Sequence, residues 1–233
     1  MIPRRSFENW PPSSVKRVVV EIKFCGMTRE EDARQAAVLG AGYVGAIMTE
    51  SPRQIAPTAA VRVLGAAHGG VRRVGVFGAD PAEAIARNAK EGAFDVVQLH
   101  GDPSPADVED LRKHWSGPVW AAIRVGPFGL PRNAAALFDT ANAVILDARV
   151  EGKLGGAGIP FVWDELQLDR IMMGQRRARF VLAGGLTPAN VAQAIDELEP
   201  DIVDVSSGVE SSPGVKDHGK MRAFRDAVRG GSR

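Results

Sequence analysis

From residue 18 onward, short runs rich in valine and isoleucine alternate with alanine-rich, charge-studded segments whose apolar positions fall at helical spacing. Unbroken apolar runs predict strands buried on both faces, and apolar residues three and four apart predict helices with one inward face. The runs predict strands over 18–24, 43–48, 71–77, 96–99, 119–124, 143–146, 180–183 and 202–205. Between them, segments such as 30–39, 81–91, 105–114 and 188–198 predict helices, several opening with Pro or preceded by Thr, Asp or Ser as helix starts require.

Continuous apolar strands separated by helices imply a parallel sheet covered on both faces, because parallel strands need long crossovers. Eight such units in roughly 215 residues fit a single α/β domain, a (β/α)8 TIM barrel. A doubly wound open sheet is the competing architecture. The turn after the first strand, Cys25-Gly26-Met27-Thr28-Arg29, carries no Gly-x-Gly-x-x-Gly, so a dinucleotide fold loses its main support. The barrel is expected over residues 17–233, behind a loose extension at 1–16 that holds Pro-Pro and Ser-Ser pairs.

The 29 basic and 28 acidic residues nearly cancel, which gives no electrostatic footprint for nucleic acid or an anionic membrane. No apolar stretch approaches the ~20 residues needed to span a bilayer, and no signal-peptide core is visible near the N-terminus. A cytoplasmic protein acting on a small molecule, as monomer or homodimer, is expected.

In a barrel, reactive groups gather where strands end and the following loops begin. The only cysteine, Cys25, closes the first apolar run and has no disulfide partner within the chain. A free cysteine at a strand end is also a good small hydrophobe, so its role depends on what surrounds it. His100 follows the fourth strand, Asp147 the sixth, and Arg53 lies in the loop after the second, where its planar fork suits a carboxylate. Ala183-Gly184-Gly185-Leu186 and Val205-Ser206-Ser207-Gly208 close strands seven and eight, where barrels often bind phosphate through exposed amides. The sixth loop, through Gly155-Gly156-Ala157-Gly158, is long enough to cover a substrate. His68, His114 and His218 lack ligand-like spacing and are expected at the surface. No metal site is expected.

From Lys23 to the C-terminal helix the chain resembles the phosphoribosylanthranilate isomerase family of tryptophan biosynthesis. The resemblance rests on Lys23-Phe24-Cys25-Gly26-Met27-Thr28, Ser51-Pro52-Arg53, Val74-Gly75-Val76-Phe77, Val97-Gln98-Leu99-His100-Gly101, Ile145-Leu146-Asp147, Leu182-Ala183-Gly184-Gly185-Leu186 and Val203-Asp204-Val205-Ser206-Ser207-Gly208-Val209-Glu210. It implies an Amadori rearrangement of N-(5-phosphoribosyl)anthranilate to 1-(2-carboxyphenylamino)-1-deoxyribulose 5-phosphate, without redox cofactor or metal. By position, Asp147 is then the general acid and Cys25 the general base, and Arg53 holds the anthranilate carboxylate. The glycines Gly184 and Gly185, with Ser206, Ser207 and Gly208, cradle the phosphate, aided by Gly155 and Gly156. His100 and Asp204 join as secondary binding residues, and Lys23 is expected to be paired inside the barrel. The chemistry asks that the carboxyl keep its proton and the thiol lose its own readily; burial serves the first and a nearby cation the second.

Two departures from the family pattern stand in the sixth loop, where Ala157 replaces a hydroxyl residue and Val162 an aspartate. They leave room for a related isomerase of another amino-sugar phosphate. A third expectation is a barrel that binds a phosphorylated ligand without turning it over.

Overall fold

The computed structural model describes residues 19–124, 130, 134–147 and 177–231. Eight parallel strands close on themselves in chain order: β1 (Glu21–Phe24), β2 (Tyr43–Ile47), β3 (Arg72–Phe77), β4 (Val96–His100), β5 (Val119–Arg124), β6 (Ala143–Asp147), β7 (Arg179–Ala183) and β8 (Ile202–Val205). The described helices are α1 (Glu30–Val38), α2 (Pro57–Gly65), α3 (Ala82–Glu91), α4 (Pro105–Arg112), α5 (Ala134–Thr140), α6 (Val191–Leu198) and α7 (His218–Gly231). The barrel wins over the open sheet because β1 pairs with β8 as well as β2: Glu21 faces Ile202 and Lys23 faces Asp204 across the closing seam.

The apolar runs overshoot or undershoot the strands by the extent of pairing. β1 starts at Glu21 because β8 offers no partner before Ile202, and Val19 ahead of it is 76% exposed. β4 and β6 run one residue further than expected, since His100 pairs with Ala122 and Asp147 with both Arg124 and Ala183. α6 begins at Val191 rather than Pro188: the Thr187 amide donates to Asn190 Oδ1 at 2.7 Å, and Asn190 Nδ2 donates to Gly185 O at 3.1 Å, holding those residues in a turn. α4 starts as the sequence implies, on a capping box in which Ser104 and Asp107 exchange side-chain and backbone bonds.

Apolar side chains pack in two shells. A small inner cluster of Tyr43, Val74, Val96, Trp120, Ile145, Val181 and Ile202 fills the barrel. A larger cluster, including Phe24, Leu64, Phe77, Leu111, Leu137, Phe180 and Phe224, fills the space between strands and helices. Strand residues alternate between the shells. Continuing that parity toward the C-terminal ends places Lys23, Cys25, Gln98, His100, Asp147, Asp204 and Ser206 on the inner face. At the opposite end Arg179 Nη1 meets Glu21 Oε2 at 2.5 Å and Tyr43 OH at 3.0 Å, which seals the barrel floor with a partly exposed polar plug.

Candidate functional site

Three loops converge on Cys25. Its amide donates to Val205 O at 2.9 Å, and the Met27 amide donates to Gly45 O at 2.8 Å, so the turn after β1 is anchored to both neighbouring strands. Gly26 has φ +72°, and a Cβ there would lie 2.6 Å from Arg53 Cδ and 3.0 Å from Ser206 Oγ. Only glycine lets the β1, β2 and β8 loops approach this closely. On β2, a Cβ at Gly45 would lie 2.9 Å from Cys25 Sγ, so the missing side chain is the space that the sulfur occupies.

Beneath the sulfur, Lys23 Nζ donates to Asp204 Oδ2 at 2.5 Å, both side chains being nearly or fully buried. This is the internal pairing expected for Lys23. Burial pulls the Lys23 ammonium down, but Asp204 and the Cys25 thiol outweigh it and hold its pKa above the usual lysine value. For Cys25 the balance goes the other way. Burial pushes its thiol up, Lys23 and Lys216 pull it down, Asp204 pushes it up again, and the net shift is upward. A cation of the kind that the chemistry asks for is present beside the sulfur, yet desolvation exceeds its effect. Asp147 sits at the end of β6 with 7% of its surface exposed, on the same inner face.

Arg53 does not wait with an empty fork. Its Nε and Nη2 donate to Glu210 Oε1 and Oε2 at 2.8 and 2.6 Å, a bidentate pair. Glu210 opens a short antiparallel hairpin after β8, formed by β9 (Glu210–Ser212) and β10 (Val215–Lys216). Lys216 returns from that hairpin, and its fully buried ammonium donates to Glu210 Oε1 at 2.8 Å and Ser206 O at 3.2 Å. The hairpin is tied down by Asp32 of α1, which accepts from the Lys216 amide at 3.0 Å and from Arg29 Nε at 3.0 Å. Asp32 Oδ1 also lies 2.8 Å from His218 Nε2. His218, expected at the surface, keeps 35% of its side chain exposed while partnering a buried carboxylate. Residue spacing could not reveal this contact, because the two residues are 186 positions apart.

The loops after β7 and β8 form one joined edge. Gly184 and Gly185 have φ of +92° and +64°. A Cβ on Gly208 would fall 1.9 Å from Leu186 O, so the second loop rests directly on the backbone of the first. Ser207 is exposed at the start of the 3-10 turn Ser207–Val209, while Ser206 Oγ is buried and has no hydrogen-bond partner among the described residues. His100 lies 3.5 Å through Nδ1 from Gln98 Nε2, and also borders a cavity of about 230 Å³ with Gly78, Asp80, Asp107 and Leu111. That cavity opens between the loops after β3 and β4, and neither Cys25 nor Arg53 lines it.

The structure thus brings Cys25, Arg53, Asp204 and Ser206 into one neighbourhood, with Asp147 and His100 on the same inner face. Gly155, Gly156, Ala157 and Val162 lie outside the described residues. Glu210 and Lys216 were missed as site residues; their signal was the Glu210 of the eighth-strand motif followed closely by a lysine. Among the described residues, no group of three His, Cys, Asp or Glu side chains is arranged to hold a metal, and no helix is long and apolar enough to cross a membrane.

The chain is similar to known proteins along most of its length. The family model for N-(5'phosphoribosyl)anthranilate (PRA) isomerase matches residues 22–227. The N-(5'-phosphoribosyl)anthranilate isomerase of Rubrobacter xylanophilus is 40% identical over 217 residues, covering 91% of this chain and 100% of that protein. The crystal structure of the phosphoribosyl anthranilate isomerase from Thermotoga maritima superposes with a TM-score of 0.77 at 33% identity, covering 91% of this chain and 99% of the other. A phosphoribosyl anthranilate isomerase solved in complex with reduced 1-(o-carboxyphenylamino)-1-deoxyribulose 5-phosphate has a TM-score of 0.74 at 31% identity, over 91% of this chain and 99% of its own. With the closed barrel, the joined loops and this likeness along nearly its whole length, the chain belongs to the N-(5'-phosphoribosyl)anthranilate isomerase family.

Proposed function

We propose that this chain isomerises N-(5'-phosphoribosyl)anthranilate to 1-(2-carboxyphenylamino)-1-deoxyribulose 5-phosphate with Asp147 as general acid and Cys25 as general base. The observation that carries the assignment is strand parity: Asp147 ends β6 and Cys25 follows β1, both on the inner face at the same end of the barrel. The Asp147 carboxyl gives its proton to the ribose ring oxygen as the C1–O bond breaks, and the anilino nitrogen lone pair forms the C=N bond of an iminium. The Cys25 thiolate then takes the C2 proton, and the released electron pair forms the C1=C2 bond while the nitrogen regains its lone pair. The resulting enol passes its hydroxyl proton on and gains one at C1, leaving the ketone. No atom is gained or lost, and each step moves only protons and electron pairs.

Substrate is held at both ends. The amides of Gly184 and Gly185, with Ser206, Ser207 and Gly208, take the phosphate, and the orphaned Ser206 Oγ supplies a donor with no competing partner among the described residues. The Gly155-Gly156 loop joins them. Arg53 takes the anthranilate carboxylate, which must share or replace the Glu210 carboxylate in the guanidinium fork. His100 and Asp204 line the rest of the site. The protein acts in the cytoplasm, as monomer or homodimer, on this phosphorylated small molecule.

The test is the fall in anthranilate-type fluorescence when enzymatically generated phosphoribosylanthranilate meets the purified protein, compared with Cys25→Ser and Asp147→Asn. Rapid loss with the parent and collapse in both variants is expected. A variant that keeps parental turnover would remove that residue from the acid–base pair.

A further inference from the structure

We propose that Lys216 is a positioning residue for this reaction: delivered by the hairpin after β8, its ammonium stabilises the thiolate form of Cys25. The inference rests on the reading of Cys25 as base and goes beyond it by naming what makes a buried thiol able to serve.

Cys25 is buried, and four charged groups from four segments interact with its charge: Lys23 on β1, Asp204 on β8, Arg53 in the loop after β2, and Lys216 on β10. These cations differ in what else they hold. Lys23 is bonded to Asp204 at 2.5 Å and to the Cys25 side chain itself, so its charge is already divided between the aspartate and the sulfur. Arg53 is committed through two bonds to Glu210 and is the group expected to receive the substrate's carboxylate. Lys216 has one carboxylate oxygen, at 2.8 Å, and one neutral carbonyl, Ser206 O, at 3.2 Å.

The Ser206 carbonyl fixes where the ammonium sits. It follows Val205, whose own carbonyl accepts the Cys25 amide at 2.9 Å, so the bond from Lys216 docks the cation on the residue next to the one that anchors the base. Burial weakens the hold of Lys216 on its proton, which Glu210 restores only in part. A buried cation in that condition gains strongly from a new anion beside it, and formation of the thiolate supplies one. Glu210 joins the two cations, since its Oε1 accepts from both Arg53 and Lys216 while its Oε2 accepts from Arg53 alone. The base and the carboxylate grip are thereby coupled through a residue that touches neither reacting carbon.

Because Cys25 is the only cysteine, the rate of alkylation by iodoacetamide as a function of pH titrates this thiol alone. The experiment compares the parent protein with Lys216→Met and Lys216→Arg. In Lys216→Met the alkylation midpoint is expected to rise by about one pH unit, a tenfold fall in thiolate at a given pH below it. The lower limb of the kcat/KM profile rises with it, while activity at high pH returns toward the parent's, and Lys216→Arg restores both. A structural role alone lowers activity at every pH without moving either midpoint, and that result would overturn the proposal. If the methionine variant does not fold, Lys216→Gln keeps a donor for Glu210 and Ser206 O while removing the charge, and the same two outcomes decide. Full activity in Cys25→Ser would instead defeat the base assignment, and the alkylation shift would still report whether Lys216 governs the thiol.

Discussion

Gly45→Ala asks whether the sulfur's seat matters to the chemistry. The added Cβ lies 2.9 Å from Cys25 Sγ, 3.4 Å from Lys23 Cε and 3.5 Å from Cys25 Cα. Carbon atoms are comfortable at about 3.5–4.0 Å, and sulfur is larger, so the sulfur must retreat by roughly 0.7–1 Å or rotate out of its position. Overpacking of this kind costs about 1–3 kcal/mol, against which alanine regains roughly 0.5–1 kcal/mol of strand preference over glycine. A net loss of up to roughly 2.5 kcal/mol lowers the melting temperature by up to about 10 °C in a domain of this size. Catalysis suffers more, because a base misplaced by about 1 Å can cost on the order of 100-fold in rate. The fluorescence assay reads kcat and KM together, and KM is expected to change little, since the loops after β7 and β8 lie on other segments. Gly65→Ala is the control: its Cβ meets nothing within 4 Å, so kcat should be unaltered. A Gly45→Ala enzyme that melts lower yet turns over at the parental rate would refute the seating of Cys25 as the base.

Gly208→Ala forces a Cβ to within 1.9 Å of Leu186 O, so it should part the loops after β7 and β8 and, if these take the phosphate as proposed, raise KM well before it lowers kcat; inhibition by inorganic phosphate should weaken in parallel. Glu210→Ala leaves a fully buried lysine and a largely buried arginine without their carboxylate, a loss of about 3–5 kcal/mol by the usual cost of breaking a buried pair, read by urea denaturation. For acid stability, burial alone would raise the Asp32 carboxyl, but bonds from Arg29, the Lys216 amide and His218 outweigh it and hold the pKa below the usual value. A depressed folded-state pKa means that the unfolded chain binds the proton more tightly, so this stability is complete above the unfolded value of about 4 and is lost as pH falls through the lower, folded one. Asp32→Asn should therefore be less stable than the parent at pH 7 and nearly equal to it in strong acid; a constant difference across that range would show that the charge is not what matters.

The barrel was legible because buried parallel strands must be apolar on both faces, and each Val-rich run from Tyr43 to Val205 keeps that requirement locally. The strand ends were less legible, since pairing with a neighbour, and not the run itself, decides that β1 waits for Glu21 and that β6 extends to Asp147. Cys25, Arg53 and the Gly184-Gly185 turn stood out because their chemistry or their backbone freedom is unusual at a strand end. What surrounds them did not. The partners of Arg53 and Lys23 lie 157 and 181 residues away, and the hairpin carrying Lys216 has strands too short to show a period. Whether burial or a cation wins at Cys25 depends on the sum of contacts from β1, β8 and β10, which no single segment encodes.

The seam between β1 and β8 also sets an order of events during synthesis. Lys23 emerges 181 residues ahead of Asp204, an interval of roughly 10–35 s at about 5–20 residues per second. Throughout that time β1 lacks one of its two neighbours, and its lysine has no carboxylate to enter the barrel with. The ribosome-bound chain can therefore build an arc of strands but cannot finish the pocket around Cys25. Catalytic competence arrives only with the last strands, as a single closing event.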